Sequence, residues 1–299
     1  MASENVLKFG IPKGSLEQTT IELLRKSGWR ISVDGRSYIP SVDDAALSLR
    51  IMRPQEMPRY IADGVLDAGI TGSDWIVEND VDLVEVEKFV YSKVSLKPTR
   101  WVLVVPESSP IRRMEDLEGR RIATEMVAFT RRVFGQRKIN VDVEFSWGAT
   151  EAKAADGLVD AIVEVTETGS SLRANKLRIV EELLTSSPVL VANRDAWADS
   201  WRQSKIRQIG VLMRAALDAE NRVGLKLNVA KKNLEKVIAV LPSITAPTIS
   251  QLYPSAALKG EQWVAVETVI SEQMVRELFP RLLDAGAIGL VEYPLNKII

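Results

Sequence analysis

The residues with the most chemical content lie in one stretch, Glu164-Val165-Thr166-Glu167-Thr168-Gly169-Ser170-Ser171-Leu172. An apolar run, Asp160–Val165, ends in a carboxylate, hydroxyl residues then surround one glycine, and a helix is expected from Leu172. Glycine lets a backbone come close to a phosphate, while Thr168, Ser170 and Ser171 supply donors around it. Carboxylates at Glu164 or Glu167 would repel a bare phosphate, yet they suit the hydroxyls of a sugar that carries one. In physical terms the stretch reads a ribose 5-phosphate; a structural turn with solvated hydroxyls is the alternative. A second turn, Pro12-Lys13-Gly14-Ser15, offers an anion backbone amides, a lysine and a hydroxyl, although a plain helix N-cap at Ser15 explains it equally well. It lacks the G-x-x-x-x-G-K-[ST] spacing of a nucleotide P-loop. A third turn, Thr71–Trp75, is open to both readings.

The 299 residues contain no histidine and no cysteine. That excludes Ser-His-Asp and Cys-His nucleophiles, zinc sites of the Cys/His kind, disulfides and an imidazole proton shuttle. Chemistry is left to carboxylates, hydroxyls, Lys/Arg, backbone amides or an oxygen-bound cation. A formal net charge of -1 gives no basic field for nucleic acid or an anionic membrane. The start, Met1-Ala2-Ser3-Glu4-Asn5, has neither the basic nor the apolar part of a signal peptide. No stretch approaches the roughly 20 apolar residues of a membrane span. A cytoplasmic protein with no nucleic-acid and no membrane partner is expected.

The elements that position these turns alternate between short β-branched runs and amphipathic helical stretches, an α/β pattern with mostly parallel strands. Strands are predicted at Val6–Pro12, Leu47–Met52, Asp67–Thr71, Arg100–Val105, Arg121–Thr124, Val141–Phe145, Asp160–Val165 and Pro188–Ala192. Helices are predicted from Ser15 to Gly28 and at Pro54–Asp63, Val127–Arg137, Glu151–Asp156 and Ala196–Asn221. One string repeats: Ala62-Asp63-Gly64-Val65-Leu66-Asp67-Ala68 and Ala155-Asp156-Gly157-Leu158-Val159-Asp160-Ala161. Either helix–Gly–strand junctions converge on such strings, or two lobes of similar build face each other across a cleft, as in two-lobed solute-binding proteins. After Asn221 the pattern becomes βαββαβ, a ferredoxin-like module.

Taken together, these strings resemble the ATP phosphoribosyltransferase family along nearly the whole chain. The stretch Glu164–Leu172 resembles its loop for phosphoribosyl diphosphate (PRPP), and Ile11–Leu16, Leu66–Gly72, Gly119–Thr124 and Gly157–Val163 extend the likeness. The C-terminal module, with Ala246-Pro247-Thr248-Ile249, resembles the regulatory domain of the long form. The resemblance implies a two-lobed periplasmic-binding-protein-like catalytic core plus a C-terminal ferredoxin-like (ACT-like) domain. It places lobe I in 1–95 and 186–220, lobe II in 96–185 and the regulatory domain in 221–299.

The implied reaction joins the phosphoribosyl group of PRPP to N1 of ATP with release of pyrophosphate, the first step of histidine biosynthesis, with Mg²⁺ carried by the substrate phosphates. Glu151, Glu164 and Arg100 match catalytic positions. Glu164, Thr168, Gly169, Ser170, Ser171 and Leu172 match the PRPP loop, Lys13, Gly14, Ser15 and Arg53 the anion-binding cleft, and Asp74 the adenosine side. Thr248 matches the inhibitor site. Histidine and AMP are the implied inhibitors, dimers that assemble into hexamers the implied state, and no synthetase-like regulatory subunit is expected. The chain departs from the family at Glu125-Met126, where an aromatic residue and proline are common, at Ser73, often arginine, and at Thr150, more often valine. Three other readings stand beside this one, the first a transferase of the same type that uses another base. A two-lobed binding or sensor protein without catalysis would bind one ligand and turn nothing over. Porphobilinogen deaminase, on a similar scaffold, attaches its cofactor through a cysteine, and this chain has none.

Overall fold

The computed structural model describes residues 5–35, 37–91, 98–242, 246–253 and 261–299. The chain forms two compact units, Trp29–Gly210 with the residues up to Arg25, and Val211–Ile299 with Lys26–Gly28.

The first unit holds two five-stranded sheets. One contains β1 (Leu7–Pro12), β4 (Leu47–Met52), β5 (Ala68–Gly72), β6 (Val84–Lys88) and β12 (Pro188–Ala192), in the order β4-β1-β5-β12-β6. The other contains β7 (Thr99–Pro106), β8 (Arg121–Thr124), β9 (Asp142–Phe145), β10 (Ala161–Thr166) and β11 (Leu177–Ser186), in the order β11-β7-β10-β8-β9. In each sheet three neighbouring strands run parallel, β4-β1-β5 and β9-β8-β10, and a fourth, β12 or β7, lies antiparallel against the third. Helices α1 (Glu17–Ser27), α2 (Met57–Ala62) and α3 (Ser73–Asn79) connect the first set; α4 (Val127–Gln136), α5 (Thr150–Ala155) and α6 (Ser170–Ala174) connect the second. A two-residue pair, β2 (Ile31–Ser32) and β3 (Ser41–Val42), forms a small hairpin.

The repeated string has the same job in both sheets. Each copy ends a helix, turns on a left-handed glycine (Gly64 at φ +73°, Gly157 at φ +74°) and enters the central strand. Each aspartate then accepts the amide of the neighbouring parallel strand, Asp67 from Lys8 at 2.7 Å and Asp160 from Arg121 at 3.0 Å. The sheets are fastened to each other around α3. Trp75 meets Trp101 edge-on at 5.9 Å between ring centroids, and Glu78 caps α4 by accepting the Ala128 and Phe129 amides at 3.0 and 2.8 Å. Two segments connect the sheets, one between β6 and β7 and one through Ser187 between β11 and β12.

Three expectations are corrected. Ser15 does not cap α1: Gly14 takes φ +96°, the helix starts at Glu17, and the Glu17 carboxylate reaches back to the Gly14 amide at 3.2 Å. The helix expected from Leu172 starts at Ser170, because the left-handed turn at Gly169 closes the loop sooner. The single long helix expected at 196–221 is two, α7 (Arg194–Ala198), capped by Asn193, and α8 (Ser200–Asp218). Strands β6 and β11 are additional. In β11 two register shifts break the alternation of inward and outward residues, and β6 is a charged edge strand.

In the second unit, β13 (Arg222–Ala230), α9 (Leu234–Val240), β14 (Thr248–Gln251), β15 (Trp263–Ser271), α10 (Val275–Asp284) and β16 (Ala287–Pro294) give the expected βαββαβ order. The antiparallel sheet runs β14-β15-β13-β16, the ferredoxin-like arrangement, with Leu225, Leu227, Val266, Leu278 and Leu282 in its core. Among the described residues no helix is long and apolar enough to cross a membrane.

Candidate active site

Residues that follow the carboxyl ends of β1, β4, β5, β8 and β10 line one cavity of ≈ 680 Å³ in the first unit. Ser15 and Leu16 follow β1, Pro54 and Gln55 follow β4, Asp74 and Trp75 follow β5, and Glu125 follows β8. The wall after β10 is Glu167, Thr168, Ser170 and Ser171; Thr99 and Trp101 of β7 and Ser186 of β11 add to it, with Tyr91 and Ser187 from the connecting segments. Strand carboxyl ends are where open α/β sheets bind ligands, because the turns there present amides and short polar side chains.

The loop after β10 is shaped by its glycine. Gly169 takes φ +71° and donates its N–H to Thr166 Oγ1 at 2.8 Å. Thr168 Oγ1 donates to Ser170 Oγ at 3.0 Å, and Arg173 holds the Thr168 carbonyl at 3.1 Å from α6. The result is a short arc of exposed hydroxyls with a fixed backbone. Leu172 is different: it is 1% exposed and packs against Val102, Ala154 and Ile162, so its side chain belongs to the core.

Glu164 stands half-buried near the end of β10, ahead of this loop, and is not itself among the residues that line the cavity. Its Oε1 accepts the Val165 amide at 3.0 Å. Burial pushes its carboxyl up to about 7, against the help of the Val165 amide, and the negative charges of Glu151 and Glu125 push the same way. The charges of Glu151 and Glu125 are thus felt at Glu164. Burial also raises the Glu125 carboxyl, while a hydrogen bond from Gln55 and the charge of Arg53 counter it.

Lys13 and Arg53 are the residues immediately after β1 and β4, adjacent parallel strands whose ends, Pro12 and Met52, are paired. Lys13 donates to Tyr38 Oη at 2.8 Å and lies 4.1 Å from the centre of that ring; Lys13 and, more weakly, Arg53 lower the Tyr38 hydroxyl. The Arg53 guanidinium stacks 5.1 Å from the Trp147 ring. Gly14 supplies the turn between Lys13 and Ser15, and Ser15, freed from capping, lines the cavity.

Of the three remaining expected residues, Asp74 lines the cavity, and Arg100 and Thr248 do not. Arg100 is the strand neighbour of Thr166, but its guanidinium pairs with Glu182 at 3.2 Å and it is not among the lining residues. Asp74 lines the cavity with both oxygens engaged: Trp101 Nε1 donates to Oδ2 at 2.6 Å and the Trp75 amide to Oδ1 at 3.0 Å. Its amide donates to Ser186 Oγ at 3.2 Å, and burial raises its carboxyl. Thr248 lies in the second unit, exposed at the start of edge strand β14.

Sequence reasoning passed over Tyr38, Gln55, Trp147 and the Ser186-Ser187 crossing. Exposed aromatics carry no periodicity, so Tyr38 and Trp147, each 57% exposed, had no signal. The Ser-Ser-Pro string before a buried strand did mark a turn.

The fold and the cavity define the class first: a two-sheet α/β core with a cavity at its strand ends, followed by a ferredoxin-like domain. Residues 53–215 match the family described as ATP phosphoribosyltransferase (HisG), and residues 219–297 match the HisG C-terminal domain. The ATP phosphoribosyltransferase of Geotalea uraniireducens is 54% identical over 295 residues, 99% of either chain. ATP phosphoribosyltransferase 1 of Geobacter sulfurreducens is 55% identical over 294 residues, 98% of this chain and 99% of that one. Among solved structures, a chain of the ATP phosphoribosyl transferase (HisG:HisZ) complex from Thermotoga maritima superposes with a TM-score of 0.60 at 26% identity, covering 70% of this chain and 98% of its own. The chain belongs to the ATP phosphoribosyltransferase family, in its long form, whose reaction is the first step of histidine biosynthesis.

Proposed function

We propose that the cavity is where PRPP and ATP meet and that this chain transfers the phosphoribosyl group to N1 of ATP. The observation that carries the reading is the placement of the loop after β10: hydroxyls of Thr168, Ser170 and Ser171 at the cavity wall, with half-buried Glu164 on the strand that leads into them. In this reading the loop holds the 5-phosphate, and Gly169 lets the backbone close around it. Glu164 accepts hydrogen bonds from the ribose hydroxyls. Glu151, near enough to raise Glu164, faces the positive charge that develops on the sugar as pyrophosphate leaves. Lys13 and Arg53, with Gly14 and Ser15 between the strand end and α1, receive the diphosphate and triphosphate. Holding two polyanions in reacting geometry is itself a large part of the rate enhancement.

Mg²⁺ arrives on the PRPP diphosphate as part of that substrate, where it neutralises charge on the leaving pyrophosphate. Among the described residues no group of three or more Asp or Glu stands together to hold an ion. Arg100, beside Thr166, reaches the reacting centre only if its pair with Glu182 opens. Asp74 bounds the adenosine side of the cavity.

The domain reading follows: residues 1–95 and 186–220 form one lobe, 96–185 the other, and 221–299 a regulatory domain. We assign histidine to that domain, with Thr248 at its site, and AMP to competition in the cavity. Dimers assembling into hexamers, a cytoplasmic location and independence from a synthetase-like subunit complete the proposal. A pyrophosphate-release assay with PRPP, Mg²⁺ and each nucleoside triphosphate, with and without histidine, tests it. Release with ATP alone, suppressed by histidine, is expected; a folded protein that releases pyrophosphate with no base would overturn the reading.

A further inference from the structure

Lys13 and Arg53 start from neighbouring backbone: they follow the paired residues Pro12 and Met52, and the Lys13 amide donates to the Met52 carbonyl at 2.7 Å. Other cations of this unit are matched by carboxylates, Arg100 by Glu182 at 3.2 Å, Lys153 by Glu144 at 3.7 Å and Lys205 by Asp44 at 2.6 Å. Among the described residues Lys13 and Arg53 have no such ion pair. Each is held by an aromatic ring instead. Lys13 donates to Tyr38 Oη at 2.8 Å and lies 4.1 Å from the centre of that ring, and the Arg53 guanidinium lies 5.1 Å from the centre of the Trp147 ring.

Neither ring serves the core, since Tyr38 and Trp147 are each 57% exposed. Trp147 is nevertheless firmly placed. The amide of Ser146 donates to the Thr124 carbonyl at 3.0 Å, and the buried hydroxyls of Ser146 and Thr150 lie 3.0 Å apart, clasping the base of the turn. Between them Gly148 and Ala149 take φ +70° and +50°, and an alanine is strained there. Phe145 meets the indole at 6.1 Å between ring centroids. A clasped and strained turn that presents an indole to solvent points to a use outside the core.

The geometry points to Trp147 and Tyr38 as positioning residues for Arg53 and Lys13: aromatic seats that hold two adjacent cations in place without neutralising them. A carboxylate would orient either side chain too, but it would cancel the charge that a polyphosphate must find. A ring face attracts a cation through its quadrupole and carries no net charge. The guanidinium over Trp147 keeps N–H donors for phosphate oxygens, and the ammonium with one donor on Tyr38 keeps two. Ordering both side chains in advance lowers the entropy lost on binding, which is large for Lys and Arg. The place fits as well. Arg53 directly precedes Pro54 and Gln55 of the cavity wall, and its stack on Trp147, which follows β9, crosses from one sheet to the other.

The inference rests on Lys13 and Arg53 as the ligands of the polyphosphates, and the test separates the two. In the full-length protein, Trp147→Leu should raise about fivefold the KM of the same substrate, PRPP or ATP, that Arg53→Gln affects, with kcat nearly unchanged; this is the worth of one exposed cation–π contact. Trp147→Phe should restore most of it. In an Arg53→Gln background Trp147→Leu should have no further effect, and Tyr38→Leu should behave in the same way toward Lys13→Gln. An unchanged KM in Trp147→Leu, or an equal rise with and without Arg53, overturns the inference. Labelling with 5-fluorotryptophan gives a reading independent of activity: the ¹⁹F signal lost in Trp147→Phe should shift in Arg53→Gln, and a signal that stays in place overturns the stack itself. If the signal moves but Arg53→Gln leaves the KM of both substrates unchanged, the phosphate reading is what falls.

Discussion

The two copies of the repeated string begin alike and end differently. Through the helix end, the left-handed glycine and the aspartate that takes a neighbouring strand's amide, the first copy and the second are the same device. They part at the far end of the strand. In the first, β5 passes straight into α3, and Thr71 is buried with its hydroxyl donating to the Pro54 carbonyl at 2.9 Å. Asp74 then folds back into Trp101 and the Ser186 crossing, and any side chain at Gly72 would run into it, since a Cβ there would sit 2.1 Å from Asp74 Oδ1. In the second, the position matching Thr71 is Glu164, and Glu167-Thr168-Gly169 separate strand from helix. One copy spends its polar groups on fastening the sheets together. The other leaves them facing a cavity. Two junctions of the same build thus part through the loop Glu167-Thr168-Gly169 and the side chains at the strand end, Thr71 in one and Glu164 in the other.

The largest expected effect falls on the binding half. Gly169→Val places a β-branched residue at φ +71°, with its Cβ 3.1 Å from the Arg173 guanidinium. Strain of about 1–2 kcal/mol leaves the protein folded but displaces the loop, and a misplacement of about 1 Å is worth roughly a hundredfold in kcat/KM. Isothermal titration with PRPP should show no binding while the thermal transition persists. Unchanged affinity would put the phosphate cradle elsewhere and dissolve the contrast between the copies.

The junctions were legible because their chemistry is local. Asp-Gly with apolar residues behind it announces a helix end and a buried strand, and the βαββαβ order of the second unit follows from spacing alone. The loop after β10 was legible for the same reason: a carboxylate, a glycine and three hydroxyls are contiguous. What was not legible depends on residues distant in sequence. The Trp101–Asp74 bond, the Glu78 cap on α4 and the Arg53–Trp147 stack each bring together side chains from different elements. Strand β11 hid because its bulges cancel the period of two, and Arg100 was mislaid because its partner Glu182 lies on that same strand.

Next in size is a pair of substitutions on two carboxylates, buried Asp74 and half-buried Glu164, which should act in opposite directions. In Asp74, two N–H groups point at the two oxygens, and an amide has only one acceptor. Asp74→Asn therefore sets a donor against a donor and should destabilise the protein by about 1–3 kcal/mol near neutral pH. Glu164 accepts the Val165 amide on one oxygen, and a glutamine carbonyl can keep that bond. Its carboxyl titrates near 4.5 when unfolded and about 7 when folded, so the folded state binds the proton more tightly. Its contribution is fully present below the unfolded value and is lost as pH rises through about 7. Glu164→Gln removes that loss: it should raise stability at pH 8 by on the order of 2 kcal/mol, with little change at pH 4. Thermal melts of both variants across this range decide the matter, and two variants shifting in the same direction would mean that the carboxylates do not differ in kind.

The smallest effect tests the likeness rather than the difference. Asp67 and Asp160 each accept one strand amide and each lie near an arginine, Arg202 at 3.5 Å and Arg120 at 3.4 Å. Replacing either by alanine leaves the amide of Lys8 or of Arg121 without its acceptor. Each change should cost about 1–2 kcal/mol, with Asp67→Ala the larger because its site is drier, the side chains being 13% and 32% exposed. The exposed arginine contacts add little to either figure. Urea midpoints should fall in both variants with the slope of unfolding unchanged, and kcat/KM for PRPP should hold in the fraction that remains folded. If one substitution is silent and the other is not, the two junctions share a sequence string but not a function, and the division into matched halves applies only beyond them.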